Sequence, residues 1–313
     1  MTVLVTGANG FVGRWVVRAL LAAGHTVVAA AGPDAAPRRD DAERRAVRWV
    51  ALDLLDGESV RAVAAGAYDA VVHLAGLASG GDALNDPALA WTVNAGGTAR
   101  LLDAFGRRRR TGDADPLVLL ASTAEVYQPA TRPLVESDAI GPRSPYAASK
   151  RGAELAADET AVRSALRVVT TRAFPHTGPG QDERFVVPAF ARRLLDARRS
   201  GAKSVIVGNL DVTRDLLDVR DVAAAYVELL RKGVPGEVYN VASGAGVTLS
   251  DVFERLGRQI GVKAAPVSDP SLLRPADVPY LVGDATKLRA ATGWAPTIPL
   301  DHTIRDLVDA QAH

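Results

Sequence analysis

The 313-residue sequence predicts an α/β fold: a doubly wound parallel sheet with a smaller α/β lobe toward the C-terminus. Three observations predict it. Short β-branched runs alternate with longer helical patterns through the first half of the chain. Those short runs are apolar almost without interruption, as strands covered on both faces must be. A glycine turn joins the first strand to the first helix, where such sheets bind anions.

The elements follow in order. TVLVT (2–6) reads as a strand, and GFVGRWVVRALLAAG (10–24) as a helix with an apolar face closed by glycine. TVVAAA (26–31), VRWVALDL (47–54) and YDAVVHLAG (68–76) read as the next three strands, with a helix over DGESVRAVAAG (56–66). A long helix is expected over 88–106, then the strand PLVLLAS (116–122), a helix over 146–163 and the buried strand RVVTTRAF (167–174). Beyond it the pattern loosens. Helices are expected over 185–199 and 248–261, the latter with a serine or aspartate near its cap. Short strands are expected over 204–209 and 237–244, and a strand entry followed by a helix over 214–233. Six prolines from Pro266 to Pro299 mark a loop-rich tail wrapping the second lobe. The run RRRR (107–110) closes the long helix, where cations suit the dipole, and reads as a solvated helix end.

Composition narrows the chemistry. Apolar residues make up 48% and charged residues 23%, the balance of a soluble globular chain. A net charge of +1 gives no global attraction to nucleic acid or to anionic membranes. With no cysteine there is no disulfide, thiolate nucleophile or cysteine-ligated metal, and five histidines lend a metal site no support. No apolar run reaches the ~18–20 residues of a membrane span. MTVLVTGANG passes from strand to turn without a basic leader, so no signal peptide is expected and a cytoplasmic location fits.

TGANGFVG spaces Gly7, Gly10 and Gly13 three apart between strand and helix. One glycine permits the tight turn, one lets the backbone approach a pyrophosphate, and one lets helix and strand pack closely. Gly7, Asn9, Gly10, Phe11, Val12 and Gly13 are therefore candidate dinucleotide contacts, joined by Leu54, Leu74, Ala75 and Gly76 at later strand ends. Asp53 is a candidate for the adenine amino group or, equally, a helix cap. The second strand ends at Ala31, where an acid would hold a ribose 2′-hydroxyl; Asp34 comes late and Arg38 and Arg39 follow. The missing acid favours NADP over NAD. His73 reads as packing beside the cofactor, not as a catalyst.

SPYAASK places Tyr146 four residues before Lys150, on one helix face. An ammonium beside a phenol favours the phenolate, so Tyr146 is expected to have a lowered pKa and to trade a proton with a sugar hydroxyl or carbonyl. The same lysine reaches toward a nicotinamide ribose. Ser122 and Thr123 end a central strand, where open α/β sheets bind ligands. Thr123 is the candidate to hydrogen-bond the reacting oxygen, Ser122 a substrate contact, and Glu125 a second acid or base or a solvated carboxylate.

Together, TGANGFVG, STAEVY and YAASK resemble the extended short-chain dehydrogenase/reductase family of nucleotide-sugar epimerases, dehydratases and reductases. The resemblance covers essentially the whole chain. It implies a Rossmann-like NAD(P)-binding domain over 1–170, to which later segments return, and a mainly sugar-nucleotide-binding lobe over 171–313. It implies a catalytic set of Thr123, Tyr146 and Lys150, with Asn94 on the long helix lining the site. GPGQ (178–181), VGNLDVTRDLLDVRD (207–221) and LRPADVPYLVGDATKLRAATGW (273–294) are similar to the branch handling GDP-linked deoxysugars. The nearest likeness is to GDP-4-keto-6-deoxy-D-mannose reductases, then GDP-mannose 4,6-dehydratases. In that branch Arg214 and Arg274 would contact the nucleotide and its diphosphate, a task suited to guanidinium forks. The chain departs from the family at Pro175, where an asparagine usually offers its amide to the sugar nucleotide. The resemblance implies a 4-keto reductase, with 4,6-dehydratase and 4-epimerase as alternatives, and a homodimer through the helices at 88–106 and 146–163. A cofactor-binding regulator without catalysis is disfavoured because both the tyrosine and the lysine are present.

Overall fold

The computed structural model describes residues 1–33, 46–272 and 278–312. The expectations resting on Asp34, Arg38, Arg39 and Arg274 lie outside the described residues.

The apolar runs form a seven-stranded sheet: β1 (Thr2–Thr6), β2 (Thr26–Ala31), β3 (Arg48–Ala51), β4 (Ala70–His73), β5 (Leu117–Thr123), β6 (Arg167–Ala173) and β7 (Val238–Val241). Every pairing is parallel, in the order β7-β6-β5-β4-β1-β2-β3. Strand order reverses beside β1, between it and β4, and a ligand crevice opens at the carboxyl ends of strands flanking such a reversal. Successive side chains alternate between faces. Val3 and Val5 pack with α1 (Phe11–Ala22) and α6 (Val219–Lys232), through Val16, Leu20, Val222 and Tyr226. Leu4 faces the opposite layer, α2 (Gly57–Ala64), α3 (Thr98–Thr111) and α4 (Pro145–Ser164), through Val60, Leu101, Phe105 and Ala157.

A third core joins α5 (Val186–Ser200), α7 (Leu249–Ile260) and α8 (Leu300–Ala312) through Phe190, Leu194, Phe253, Leu256 and Leu307. Small ladders attach to it: Ser204–Val207 with Ala265–Ser268, and Thr213–Asp215 between Gly246–Thr248 and Tyr280–Leu281. α6 and β7 return from this half of the chain to the large sheet.

Several details differ from the sequence expectation. The strands expected over 47–54 and 68–76 are shorter, Arg48–Ala51 and Ala70–His73, with one last N–H beyond each, on Leu52 and Leu74, still bonded to the neighbouring strand. The long helix runs from Pro87 to Thr111 and widens into a π turn over Trp91–Gly97, which includes Asn94. The cap of α7 is Thr248, whose hydroxyl accepts the Asp251 N–H, and the serine and aspartate expected near the cap, Ser250 and Asp251, follow it in the first turn. The arginine run is not simply solvated. Arg108 donates to the carbonyls of Ala64 and Gly66, closing the end of α2, while Arg107 pairs with Asp103 and Arg109 with Asp115.

Candidate active site

The glycine turn leaves the end of β1 at Gly7, whose φ of +67° suits glycine. A β-carbon there would lie 2.8 Å from the Ala75 nitrogen, because the turn after β4 comes up against it. A β-carbon on Gly13 would lie 2.1 Å from the Gly7 carbonyl oxygen, so α1 crosses β1 closely only because that atom is missing. The N-cap of α1, Gly10, offers no side chain, and the first turn has no acidic residue. No acid of the helix itself therefore competes for its N–H groups and dipole, which fits a dinucleotide pyrophosphate. Phe11 stacks on His176, with rings 6.2 Å apart and nearly parallel. Arg14 donates to the Gly180 carbonyl at 2.9 Å and ties the loop after β6 over the turn.

Thr6 and His73 brace this side from within. The Thr6 hydroxyl accepts the N–H groups of Leu74 and Ala75, both at 3.1 Å, and lies 2.7 Å from His73 Nδ1. Having accepted two hydrogen bonds it gives its own proton to Nδ1, which leaves the Nε2 proton for Thr98 at 3.0 Å. Burial, and secondarily the Lys150 charge, depress the His73 pKa to about 3. His73 is thus a neutral core histidine, matching its sequence reading.

The side carrying the candidate catalytic residues is built by β5 and α4. Thr123 ends β5, 8% exposed, and its hydroxyl accepts the Glu125 N–H at 3.3 Å. Ser144 caps α4 by accepting the Ala147 N–H, and Pro145 opens the helix, so Tyr146 stands in its first turn. Lys150, one turn on, donates to the Ala121 carbonyl at 2.8 Å. Burial lowers its pKa to about 8, opposed by the Glu154 carboxylate. The expected lowering of the Tyr146 pKa is not found. Burial raises it well above the usual phenol range, the Glu125 charge adds to the rise, and hydrogen bonding by Thr123 only partly offsets it. At neutral pH Tyr146 is a phenol.

The remaining candidates divide. Asn94 is 2% exposed and its amide is committed: Oδ1 accepts the Leu77 N–H, while Nδ2 donates to the Leu77 carbonyl and the Ser149 hydroxyl. These bonds make it a strut between the π turn and α4. Ser122, 6% exposed, is on the opposite strand face from Thr123 and near enough to Glu154 to favour that carboxylate's charge, although no hydrogen bond of ordinary geometry reaches its hydroxyl. Asp53 Oδ1 accepts the Leu55 N–H, making a turn of its own, and Leu54 is buried against Gly97. Arg214 donates to the carbonyls of Thr213 and Val278. Pro175 gives its carbonyl to the Leu217 N–H at 3.0 Å, so the ladder there does not need the missing N–H. Sequence reasoning missed Arg14 and His176, whose partners lie across the crevice and leave no local signal. Among the described residues no group of three or more His, Cys, Asp or Glu could hold a metal ion, and no helix is long and apolar enough to cross a membrane.

Comparison with known proteins agrees with this geometry. The model of the GDP-mannose 4,6-dehydratase family matches residues 4–307. A GDP-6-deoxy-D-mannose reductase from Pseudomonas aeruginosa is 35% identical over 308 residues, 97% of this chain and 95% of that protein. The solved structure of RMD from Pseudomonas aeruginosa, complexed with NADPH, has a TM-score of 0.82 at 34% identity, covering 99% of this chain and 98% of that one. The UDP-glucose 4-epimerase of Thermus thermophilus, complexed with NAD, has a TM-score of 0.84 at 31% identity, with the same coverage.

Proposed function

The chain belongs to the GDP-mannose 4,6-dehydratase family and is an NAD(P)-dependent nucleotide-sugar enzyme; we propose that it reduces the C4 keto group of a GDP-4-keto-6-deoxyhexose with NADPH. The observation that carries the reading is the similarity to a GDP-6-deoxy-D-mannose reductase along 97% of the chain, with the Tyr146 phenol beside Thr123 as the acid such a reduction uses. Reduction of a ketone needs an acid at the oxygen, and a protonated phenol is that acid. Similarity to a GDP-6-deoxy-D-mannose reductase along 97% of the chain supports the substrate class.

The nicotinamide, when bound, supplies the hydride. The glycine turn and the open end of α1 hold the pyrophosphate. Thr123 donates a hydrogen bond to the carbonyl oxygen, Tyr146 gives it a proton, and Lys150 offers its charge to the nicotinamide ribose and to the phenolate left behind. Ala31 in place of an acid, and the NADPH bound by the Pseudomonas relative, support NADP over NAD. Arg214 and Arg274 are assigned to the nucleotide. The 4,6-dehydratase is the second reading, because Glu125 acts electrostatically on Tyr146 and would supply a further acid or base. We assign 1–170 to cofactor binding and 171–313 mainly to the sugar nucleotide. We also assign a homodimer through the long helical run and α4, on which Trp91, Leu155 and Val162 are 47%, 53% and 90% exposed.

The test incubates the protein with GDP-4-keto-6-deoxymannose plus NADPH and, separately, with GDP-mannose alone. NADPH consumption confined to the keto sugar is expected. Product from GDP-mannose without added reductant rejects the reductase in favour of the dehydratase.

A further inference from the structure

α4 continues the stripe of Tyr146 and Lys150 by one more turn, to Glu154. That carboxylate is 2% exposed, and its partner Arg172 on β6 is nearly as hidden. The pair is two-pronged: Arg172 Nε donates to Oε1 at 3.0 Å and Nη2 to Oε2 at 2.9 Å. Arg151, at the edge of α4, adds a third bond at 2.7 Å. The Arg172 guanidinium also lies 4.7 Å above the Tyr127 ring, whose hydroxyl donates to Asn240. A carboxylate buried at this expense of desolvation, beside a proton-transfer site, invites a role beyond packing.

We infer that Glu154 is a positioning residue for the reaction, holding the Lys150 side chain in its charged form at the end of β5 while Arg172 clamps the carboxylate in place. This rests on the reading of Lys150 as the residue serving the cofactor ribose and Tyr146. Lys150 is drawn from water by α4 and β5, and its Nζ has a neutral carbonyl, that of Ala121, as hydrogen-bond partner. Glu154 on α4 and His73 on β4 act on Lys150 electrostatically, Tyr146 stands one turn before it with Glu125 acting on that phenol, and Arg172, Arg151 and Asp158 surround the Glu154 carboxylate. Tyr146 and His73 are neutral at pH 7, and the Glu125 charge is felt at Tyr146. Glu154 opposes the loss of the lysine proton. Arg172 and Arg151 set how much of that charge the lysine feels.

The chain has only five lysines, so the intact protein, carrying lysine labelled with carbon-13 at its ε-carbon, reports Lys150 directly by NMR, the signal being the one lost in Lys150→Met. No substrate is needed, so failure of the proposed reaction and failure of this inference are told apart. In Glu154→Gln the Lys150 titration is expected to fall by about one pH unit. In Glu154→Asp, which keeps the charge but draws it back by one methylene, it is expected to fall by less. A Lys150 midpoint that stays put or rises in Glu154→Gln overturns the inference. If Glu154→Gln does not fold, Glu154→Asp decides alone: a fall supports the inference and its absence refutes it.

Discussion

The two sides of the crevice are made in opposite ways. The side proposed for the cofactor is shaped by what is missing: Gly7 and Gly13 omit β-carbons so that backbone can meet backbone, and the N-cap Gly10 brings no side chain to α1. The side proposed for catalysis is shaped by what has been added: a phenol, an ammonium and a carboxylate on one stripe of α4, with a buried guanidinium holding the last of them. The first should be broken by adding an atom, the second by deleting one.

The largest effect should come from the smallest deletion. Tyr146→Phe keeps the ring and removes the acid, so kcat for keto-sugar reduction is expected to fall about 10²–10⁴-fold with the melting temperature nearly unchanged. A comparable loss of melting temperature and activity would mean that the phenol is structural.

Next is Arg172→Met, which leaves Glu154 buried without its two-pronged partner. Denaturant titration is expected to show a loss of about 3–5 kcal/mol, the range for breaking one side of a buried pair. A loss below about 1 kcal/mol, as at surface pairs, would mean that Glu154 regains water easily.

On the cofactor side, Gly13→Ala drives a methyl into the Gly7 carbonyl, and about 1–3 kcal/mol of stability should go with it, the range for overpacking. NADPH affinity, read by fluorescence or calorimetry, should fall with it. Normal affinity would show that α1 can retreat without disturbing the pyrophosphate site.

The smallest expected effect is of acid on His73. Its folded pKa is about 3 against an ordinary 6.5, so below pH 6.5 the unfolded chain takes up a proton that the folded one refuses. Stability contributed by the neutral ring is complete above pH 6.5 and drains away toward pH 3, by roughly 2 kcal/mol at pH 5. His73→Gln should flatten this part of the pH–stability curve. An unchanged slope would show the ring already protonated in the fold.

Much of this was legible in the residues, and the rest was hidden for identifiable reasons. Every strand of the large sheet and the glycine turn were readable, because apolar runs and glycine spacing are local signals. Tyr146 and Lys150 were readable as a pair because four residues make one helical turn. The π turn at Asn94 was not, since its sequence is compatible with an ordinary helix. The cap of α7 fell to Thr248 because only the backbone path decides which of several hydroxyls and carboxylates meets a free N–H.

The sequence by itself determined the order of strands and helices, the glycine turn and the phenol–ammonium spacing. All of these are short-range patterns imposed by backbone geometry and side-chain periodicity. Tertiary structure alone decided the protonation chemistry. Tyr146 is raised, not lowered, because burial and Glu125 outweigh the favourable hydroxyl, and Lys150 is tuned by a carboxylate whose clamp arrives from another strand. Desolvation and Coulomb energy depend on which groups surround a charge in space, and no count along the chain reports that.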